Sequence, residues 1–336
     1  MWRLASTVRL SSRFRRVHFK RDLSHVVVPD LTYSRWVEST DNAAAPVAAL
    51  LAPAPCKIMG ILNVTPDSFS DGGRWIDAQA AVAHATEMIE DGADIIDVGG
   101  ESTRPGAQRV PVDEELRRVI PVVRRLAENG VPVSIDTMRS AVAAAAVEAG
   151  AAIINDVSGG LADDRMLSQV ADLGVPYILS HWRAHSPHMD RHDRYQDVVS
   201  EVVGELRGRI EAYVDAGADT GLLAIDPGLG FAKQGASNWP LLTHLKQLRD
   251  MGFPVLVGAS RKRFLAQVIP GGAARPPADR DLATAVVSAL ATIGGAWCVR
   301  VHDVASTADA VAIGEQWRAA SPAGASENEG VNRWAT

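Results

Sequence analysis

The chain contains 336 residues, of which 47% are hydrophobic and 22% charged, a composition typical of a globular protein with a large core and not of a coiled coil or a disordered chain. Its two cysteines are too few for a disulfide framework, and no apolar run reaches membrane-spanning length, so we expect a cytoplasmic protein with no membrane partner. Residues 1–21 hold seven basic side chains and no acid, and the remaining 27 bases and 40 acids make a negative body that argues against a nucleic-acid partner.

The first 55 residues differ in composition from the rest of the chain. An arginine- and serine-rich start is followed by an alanine- and proline-rich stretch over residues 43–55 without clear periodicity. We predict that residues 1–55 form a disordered extension, although an acid-free basic start is also typical of an organellar transit peptide. Small and polar residues predict a disordered tail over 321–336, which leaves a single domain at residues 56–320.

Between these ends one junction recurs seven times: an amphipathic helical stretch, a glycine suited to a helix C-terminus, and a short run rich in Val and Ile. The junctions are Asp91-Gly92, Asn129-Gly130, Ala149-Gly150, Leu173-Gly174, Ala216-Gly217, Met251-Gly252 and Gly294-Gly295. Together with a first run at 57–63 they predict eight strands that start at Lys57, Ile95, Val133, Ile153, Tyr177, Leu222, Val255 and Trp297.

The spacing of these strands favours one fold class. Strand starts recur about every 34 residues, the length that one βα unit needs, and the strands are apolar throughout, as in a parallel sheet covered by helices. Eight such units predict a (β/α)₈ TIM barrel. A doubly wound open sheet is the alternative, but the span matches a barrel and no Gly-x-Gly-x-x-Gly turn opens the first helix.

Nearly every predicted strand ends in polar residues. In a (β/α)₈ barrel the carboxyl ends of the strands form the active face, whereas the simpler interpretation is that Asp, Asn and Ser cap the helix that follows. Helix capping can explain a polar residue at the end of any one strand, but it explains much less well why polar residues end all eight. In chain order the strands deliver Asn63; Asp97 before Glu101 and Arg104; Asp136; Asn155 and Asp156; His181; Asp226; Ser260, Arg261 and Lys262; and Arg300 and His302.

These polar groups divide by charge. Asp136, Asn155 and Asp226 can accept hydrogen bonds from the N–H groups of a flat heterocycle, and Asn155 can also donate. Cationic groups follow strands 2, 7 and 8, where barrels commonly bind phosphate, and they predict a polyanion site. The cationic set is Arg104, Arg261, Lys262, Arg263, Arg300 and His302.

Two further segments carry candidate functions. Glycine-rich loops at 63–73 and 99–106 are suited to close over a ligand, although they also read as surface turns. Four histidines after strand 5 suggest a zinc site: His181, His185, His188 and His192. Their spacing is irregular and no cysteine is near, so a surface loop explains them better.

Seven segments resemble the dihydropteroate synthase family, over residues 57–320 and at strand ends in order. The family joins 6-hydroxymethyl-7,8-dihydropterin diphosphate to p-aminobenzoate, with Mg²⁺, and releases 7,8-dihydropteroate and diphosphate; it is also a target of sulfonamides. The resemblance therefore implies this activity, Mg²⁺ as cofactor and a homodimer packed through late helices. The segments are 62–72 (LNVTPDSFSDG), 97–106 (DVGGESTRPG), 134–137 (SIDT), 154–156 (IND), 226–231 (DPGLGF), 260–262 (SRK) and 300–303 (RVHD).

The resemblance also implies roles for single residues. Those expected to bind the pterin are Asp136, Asn155 and Asp226, with Lys262 at the ring. Those expected to bind the diphosphate are Arg104, Arg300 and His302, together with Asn63 through the metal ion. Those expected to line the p-aminobenzoate site are Phe69, Thr103, Pro105 and Ser260, with Phe231 nearby. The catalytic candidates are Asp226, Lys262, Arg300 and His302.

The chain departs from the family pattern after strand 5. It reads Leu179-Ser180-His181-Trp182 where many members carry Met-His-Met, so Ser180 replaces a methionine that often packs on the pterin. Two other functions are therefore weighed. A pterin-dependent methyltransferase domain would not need Arg104, Arg300 and His302, whereas a non-catalytic pterin-binding paralogue would show missing strand-end groups, of which only Ser180 is a hint.

Overall fold

The structure, a computed structural model, describes residues 50–52, 55–65, 74–102, 109–184, 192–272 and 276–321. Predictions that concern residues 1–49 and 322–336 lie outside this described part, as do those for His185, His188, Phe69 and the segment 103–108. Within the described residues no helix is both long and apolar enough to cross a membrane.

Eight strands alternate with helices along the chain. The strands are β1 (Lys57–Asn63), β2 (Ile95–Gly99), β3 (Val133–Asp136), β4 (Ile153–Asp156), β5 (Tyr177–Ser180), β6 (Leu223–Asp226), β7 (Leu256–Val257) and β8 (Cys298–Val301). The α-helices are α1 (Arg74–Glu90), α2 (Val112–Glu128), α3 (Ser140–Glu148), α4 (Met166–Leu173), α5 (Val198–Asp215), α6 (Trp239–Thr243), α7 (Leu245–Arg249), α8 (Arg263–Ala266), α9 (Asp281–Ile293) and α10 (Val304–Ala320). Short 3₁₀ turns occupy Thr220–Leu222, Gly235–Asn238 and Pro277–Arg280.

The strands form one parallel sheet that closes on itself. Each strand from β1 to β6 pairs with the next, β8 pairs with both β1 and β7, and a bridge between Ile225 and Val255 joins β6 to β7. This closure confirms the predicted (β/α)₈ barrel and excludes the open sheet. Each of the seven predicted junctions contains a glycine with positive φ, as expected where a helix ends and the chain must turn back into a strand; in the last junction it is Gly295.

Two apolar layers hold the barrel together. Residues on the outer strand faces, such as Val98, Ile154 and Val299, pack against the surrounding helices. Residues on the inner faces, such as Ile95, Ile153 and Ile178, fill the amino-terminal half of the barrel. Successive strand residues point to opposite faces, so each strand contributes to both layers, which explains why the strands are apolar throughout.

The fold begins earlier than the predicted boundary at residue 56. Leu50 and Leu51 are buried and pack on the inner apolar layer beside Trp297, whose indole Nε1 donates to the Leu50 carbonyl over 3.0 Å. These two leucines close the amino-terminal mouth of the barrel. Their hydrophobic burial is what places part of the predicted extension inside the fold.

Candidate active site

A polar layer lies above the apolar layer inside the barrel. On β5, Ile178 belongs to the inner apolar cluster and Ser180 lies two residues further on, so both side chains point inward. The same step leads from Ala224 to Asp226 on β6. By this alternation the inward polar side chains are Asp97, Asp136, Asn155, Ser180, Asp226 and Arg300, which includes all three predicted pterin-binding residues.

Arg300 is the centre of one ion-pair network in this layer. Its Nε donates to Asp97 Oδ2 over 2.5 Å and its Nη2 donates to Asp136 Oδ2 over 2.6 Å. Asn155 Nδ2 also donates to Asp97 Oδ2, over 3.0 Å. Burial raises the pKa of Asp136 to about 7, although the charge of Arg300 acts in the opposite direction. The predicted pterin-binding and diphosphate-binding residues are therefore in direct contact.

Asp226, Lys262 and Arg300 converge on one point. A Cβ added to Gly258, just after β7, would lie 3.7 Å from Asp226 Oδ2, 3.9 Å from Arg300 Cβ and 4.0 Å from Lys262 Nζ. Burial raises the pKa of Asp226, against the effect of the Lys262 charge, and burial lowers the pKa of Lys262 to about 8. Three predicted catalytic residues are thus within reach of one small molecule.

The turn after β6 holds both Asp226 and Lys262. Asp226 Oδ1 accepts a hydrogen bond from the backbone N–H of Gly228 over 2.7 Å. Lys262 Nζ donates to the carbonyl of Leu229 and lies 4.7 Å from the centre of the Phe231 ring. Phe231 is therefore beside Lys262.

Gly228 allows this turn to approach β5. Its φ is +66°, and a Cβ at this position would lie 2.1 Å from the backbone oxygen of His181. Only glycine fits there, since any larger residue would push the turn away from β5.

Ser260 and His302 connect the ends of β7 and β8. Ser260 Oγ lies 2.8 Å from His302 Nδ1 and accepts from the His302 backbone N–H over 3.1 Å. These residues were expected at the p-aminobenzoate and diphosphate sites, respectively. Their contact places the two expected sites next to each other.

Arg261 does not belong to the cationic set that the sequence suggested. Its backbone has a φ of 57°, and its guanidinium forms two 2.7 Å hydrogen bonds with Asp281 in the first turn of α9. The left-handed backbone turns this side chain away from the barrel while Lys262 turns inward. Arg263, at the start of α8, is exposed.

Four buried side-chain oxygens in the barrel have no hydrogen-bond partner among the described residues. An unsatisfied buried polar atom costs about 1–3 kcal/mol, and three of the four, on Asp97, Asn155 and Ser180, belong to the inward polar layer. Three such atoms in one layer indicate that a polar ligand or water completes their bonding. The four atoms are Asp97 Oδ1, Ser134 Oγ, Asn155 Oδ1 and Ser180 Oγ.

Sequence reasoning gave no role to Asp97 or Lys233. Asp97 was recognised as a strand-end residue, and its position two residues after the buried Ile95 is the signal that places it inside. Lys233 is 3% exposed and donates to the carbonyls of Gly228 and Phe231, each over 3.0 Å. No pattern in the sequence marks this lysine as buried.

His181 follows β5 and does not face the barrel interior. Its Nδ1 lies 2.8 Å from Lys233 Nζ and its Nε2 lies 2.9 Å from Glu205 Oε2 on α5. Burial and the Lys233 charge lower the pKa of His181 to about 4. In the described part of the chain, no three His, Cys, Asp or Glu side chains are grouped to hold a metal ion, and His181 instead has a structural partner on each nitrogen.

The described ends of the 99–106 loop are held by buried charges. Glu101 accepts from Arg139 over 2.8 Å and from the backbone N–H of Val110 over 3.1 Å, and Arg139 also pairs with the buried Glu115. A small cavity lined by Glu101, Glu115, Asp136, Thr137, Met138 and Arg139 lies beside this cluster. Thr103, Arg104 and Pro105 lie outside the described residues, so their predicted roles stay predictions.

Residues 59–302 match the family described as pterin binding enzyme. The chain is 53% identical over 272 residues to the dihydropteroate synthase of Mycobacterium leprae, and the alignment covers 80% of this chain and 96% of that protein. The dihydropteroate synthase of Xanthomonas albilineans with 4-aminobenzoic acid has 47% identity and a TM-score of 0.74 over 81% of this chain and 96% of its own. The same enzyme in complex with 7,8-dihydropteroate has 44% identity and a TM-score of 0.72, over 81% and 97%.

Proposed function

The chain belongs to the pterin-binding enzyme family, and on this basis we propose that it catalyses the dihydropteroate synthase reaction. In this reaction 6-hydroxymethyl-7,8-dihydropterin diphosphate and p-aminobenzoate give 7,8-dihydropteroate and diphosphate. One observation carries the proposal: Asp226 Oδ2, Lys262 Nζ and Arg300 Cβ lie around a single point beside Gly258, so one molecule can meet a carboxylate and an ammonium group next to the Arg300 side chain. Solved structures of similar dihydropteroate synthases contain 4-aminobenzoic acid or 7,8-dihydropteroate.

The inward carboxylates and amide suit the pyrimidine edge of a pterin. That edge has an amino group and a ring N–H that donate, and a carbonyl that accepts. Asp136 and Asp226 supply acceptors, the unpartnered Oδ1 of Asn155 supplies another, and Lys262 supplies a donor. Asp136, Asn155 and Asp226 are buried, which excludes competing water and strengthens each of their contacts.

Arg300 and His302 suit the diphosphate. Among the described residues, Asp97 and Asp136 accept from two of the five N–H groups of Arg300, and the other three can donate to phosphate oxygens. The hydroxyl of Ser260 fixes the orientation of the His302 ring at its Nδ1 side.

The reaction needs positioning and charge stabilisation, without a nucleophilic side chain. The bond between the pterin methylene carbon and the diphosphate oxygen breaks, and the electron pair leaves with the diphosphate. Positive charge develops on the dihydropterin, where the Asp226 carboxylate stabilises it. The amine nitrogen of p-aminobenzoate then forms the new C–N bond and loses a proton, while Arg300 and His302 stabilise the departing anion.

Asn63 is the residue expected to contact Mg²⁺. It lies half-buried at the carboxyl end of β1, and its amide oxygen is a hard ligand of the kind that Mg²⁺ prefers. With one such ligand and no cluster of three acidic or histidine side chains in the described residues, the site fits an ion that is bound mainly by substrate oxygens and water. When bound, Mg²⁺ would neutralise charge on the diphosphate.

A coupled assay for diphosphate release tests the proposal. Purified protein is incubated with dihydropterin diphosphate, p-aminobenzoate and Mg²⁺, and each component is omitted in turn. Release that requires all components supports the function. Tight pterin binding without release would identify a non-catalytic paralogue, and methyl transfer from methyltetrahydrofolate without release would identify the methyltransferase.

An apolar surface on α9 and α10 supports a homodimer. Leu282, Val286 and Leu290 form one exposed stripe on α9, and Ile313 and Trp317 are exposed on α10, which packs against α9. Trp317 is 65% exposed, an unfavourable position for so large an apolar side chain in a monomer. Light scattering should give the mass of a dimer for the native chain and of a monomer for Leu290→Asp. Val214→Asp on α5 is the matched control and should stay dimeric.

We place the chain in the cytoplasm. Both cysteines, Cys56 and Cys298, are free and buried, which agrees with a reducing compartment. A carboxyl-terminal fluorescent fusion checks this placement, and a signal confined to an organelle would favour the transit-peptide alternative.

A further inference from the structure

Lys233 is a buried cation that the proposed reaction does not use. Its ammonium group has three N–H bonds, and three acceptors surround it: the carbonyl oxygens of Gly228 and Phe231 and the Nδ1 of His181. This match assigns the tautomer of His181, because an Nδ1 that accepts leaves the Nε2–H to donate to Glu205. In this series of hydrogen bonds, the three N–H groups of the Lys233 ammonium and both ring nitrogens of His181 therefore have a partner.

The two carbonyls that Lys233 binds flank the residue that binds Lys262. Gly228 and Phe231 lie on either side of Leu229, whose carbonyl accepts from Lys262 Nζ. Lys262 also lies beside the ring of Phe231. A displacement of this turn would therefore move the carbonyl acceptor of Lys262 and the aromatic ring next to it together.

The rest of the turn is held less directly. The backbone N–H of Gly230 donates to Asn238 Oδ1, and the hydroxyl of Tyr195 donates to the carbonyl of Ala232. Within the turn, the carbonyl of Gly228 also accepts from the backbone N–H of Phe231 over 3.0 Å. The side chain of Lys233 binds both the Gly228 and the Phe231 carbonyls and joins them to His181 outside the turn.

We propose that Lys233 is a positioning residue that sets the place of Lys262 in the active site by fixing the turn 228–231. This inference rests on the proposed function for its kinetic readout. Burial lowers the pKa of Lys233 to about 7, against the effect of the Asp226 charge, and the charged groups around it are Asp226, Lys262, Arg183 and Glu205. The hydrogen bonds to three acceptors are what offset the cost of burying this cation.

A double-mutant cycle separates positioning from general stability. Lys233→Met keeps the length of the side chain and removes its donors, so KM for the dihydropterin diphosphate should rise about tenfold while KM for p-aminobenzoate changes less than about twofold. In a Lys262→Met background the same change should have an effect of less than about twofold. An unchanged KM, or a full tenfold effect in both backgrounds, would overturn the proposal.

Two further variants complete the kinetic test. Lys233→Gln retains two donors on a shorter side chain and should raise KM about threefold; if Lys233→Met does not fold, the cycle is run with this variant, and additivity again overturns the proposal. Lys246→Met is the matched control, because Lys246 is exposed on α7 and pairs only with Asp250 nearby. It should leave both KM values unchanged.

Hydrogen exchange supplies a readout that does not need turnover. In Lys233→Met the amides of residues 228–231 should exchange faster, while those of β2 stay as in the native chain. Faster exchange in a protein whose native form releases no diphosphate would show that the proposed reaction is wrong and the positioning of the turn is right. If the native protein turns over substrate and Lys233→Met leaves amide exchange at residues 228–231 unchanged, the proposed reaction is right and the positioning role of Lys233 is wrong.

Discussion

The two halves of the barrel interior differ although the same strands build both. In the amino-terminal half, Ile153, Ile178 and Leu256 belong to one apolar cluster with Trp297, and all are buried. Two residues further along their strands, about 6.6 Å, the interior contains Asn155, Ser180 and Gly258, with unpartnered oxygens on the first two. Apolar packing is concentrated in the first half and polar chemistry in the second, and single substitutions can test this separation.

The largest effect is expected where charge is most densely paired. Arg300→Met removes the cation that pairs with Asp97 and Asp136, so two buried carboxylates lose their partner. The free energy of unfolding should fall by about 3–5 kcal/mol, as measured by urea denaturation. Binding of dihydropterin diphosphate should weaken far more than binding of p-aminobenzoate. The exposed Arg165→Met is the control, and equal losses for both substrates would contradict the assignment of Arg300 to the diphosphate.

A substitution in the apolar half should affect stability alone. Ile178→Ala leaves a cavity beneath the site and should lower the free energy of unfolding by about 3 kcal/mol. Well below the unfolding temperature, kcat/KM should stay within about twofold of the native value. A kinetic loss larger than the loss of stability would show that the two halves are not separate.

A buried histidine that faces away from the barrel interior, His181, should make stability depend on pH. The pKa of His181 is lowered to about 4, so the unfolded chain binds a proton at this residue at a pH where the folded chain does not. This contribution to stability is present above about pH 6.5 and is lost as pH falls toward 4. Between about pH 7.5 and about pH 5 the native chain should lose about 2 kcal/mol relative to His181→Gln, measured by urea denaturation at both values. An equal change in the free energy of unfolding between the two pH values in both proteins would show that the pKa of His181 is not lowered by folding.

Asp226→Asn should affect activity and spare stability. The variant loses the carboxylate that faces developing positive charge, so kcat/KM should fall at least about tenfold, a loss of about 1.4 kcal/mol. Because burial raises the pKa of this carboxyl, its removal should not reduce the free energy of unfolding. Asp250→Asn, on the surface, is the matched control. An unchanged kcat/KM would show that the pterin binds elsewhere.

The smallest effect is expected at Ser180, on the same strand as Ile178. Its buried hydroxyl has no partner among the described residues, and its Cα pairs in register with that of Asp226. If the pterin completes this bond, Ser180→Ala should raise KM for the dihydropterin diphosphate about threefold, or about 0.6 kcal/mol. A lower KM for Ser180→Ala than for the native chain would show that the hydroxyl makes no bond to the pterin and only weakens the packing of the ring.

The sequence predicted the barrel well because its signals are local. Glycine after each helix and a short apolar run before the next turn recur with every unit, and the predicted starts at Ile95, Val133, Ile153 and Tyr177 agree with the observed strands. The predicted starts at Leu222, Val255 and Trp297 are each one residue early. β7 consists of only two residues, and Val255 contributes a single bridge.

The direction of individual side chains could not be predicted in the same way. A strand that is buried on both faces has no apolar–polar alternation, so nothing distinguishes inward from outward positions. Asn155 and Asp156 are adjacent strand-end residues, yet Asn155 faces the interior while Asp156 faces outward and accepts from Ser158, Gly160 and Tyr177. After β7, Arg261 itself has a left-handed backbone, which turns its side chain outward. Three consecutive cationic residues in the sequence do not reveal this difference in direction.

The leucines beneath the barrel limit where the chain can be cut. Leu50 and Leu51 are each more than nine-tenths buried, and full burial of such a side chain contributes about 1.5–3 kcal/mol. A maturation protease that removed everything before residue 50 would leave the barrel floor in place, whereas cleavage after Leu51 would open it to solvent. An affinity tag or fusion partner at the amino terminus should accordingly be joined upstream of residue 50.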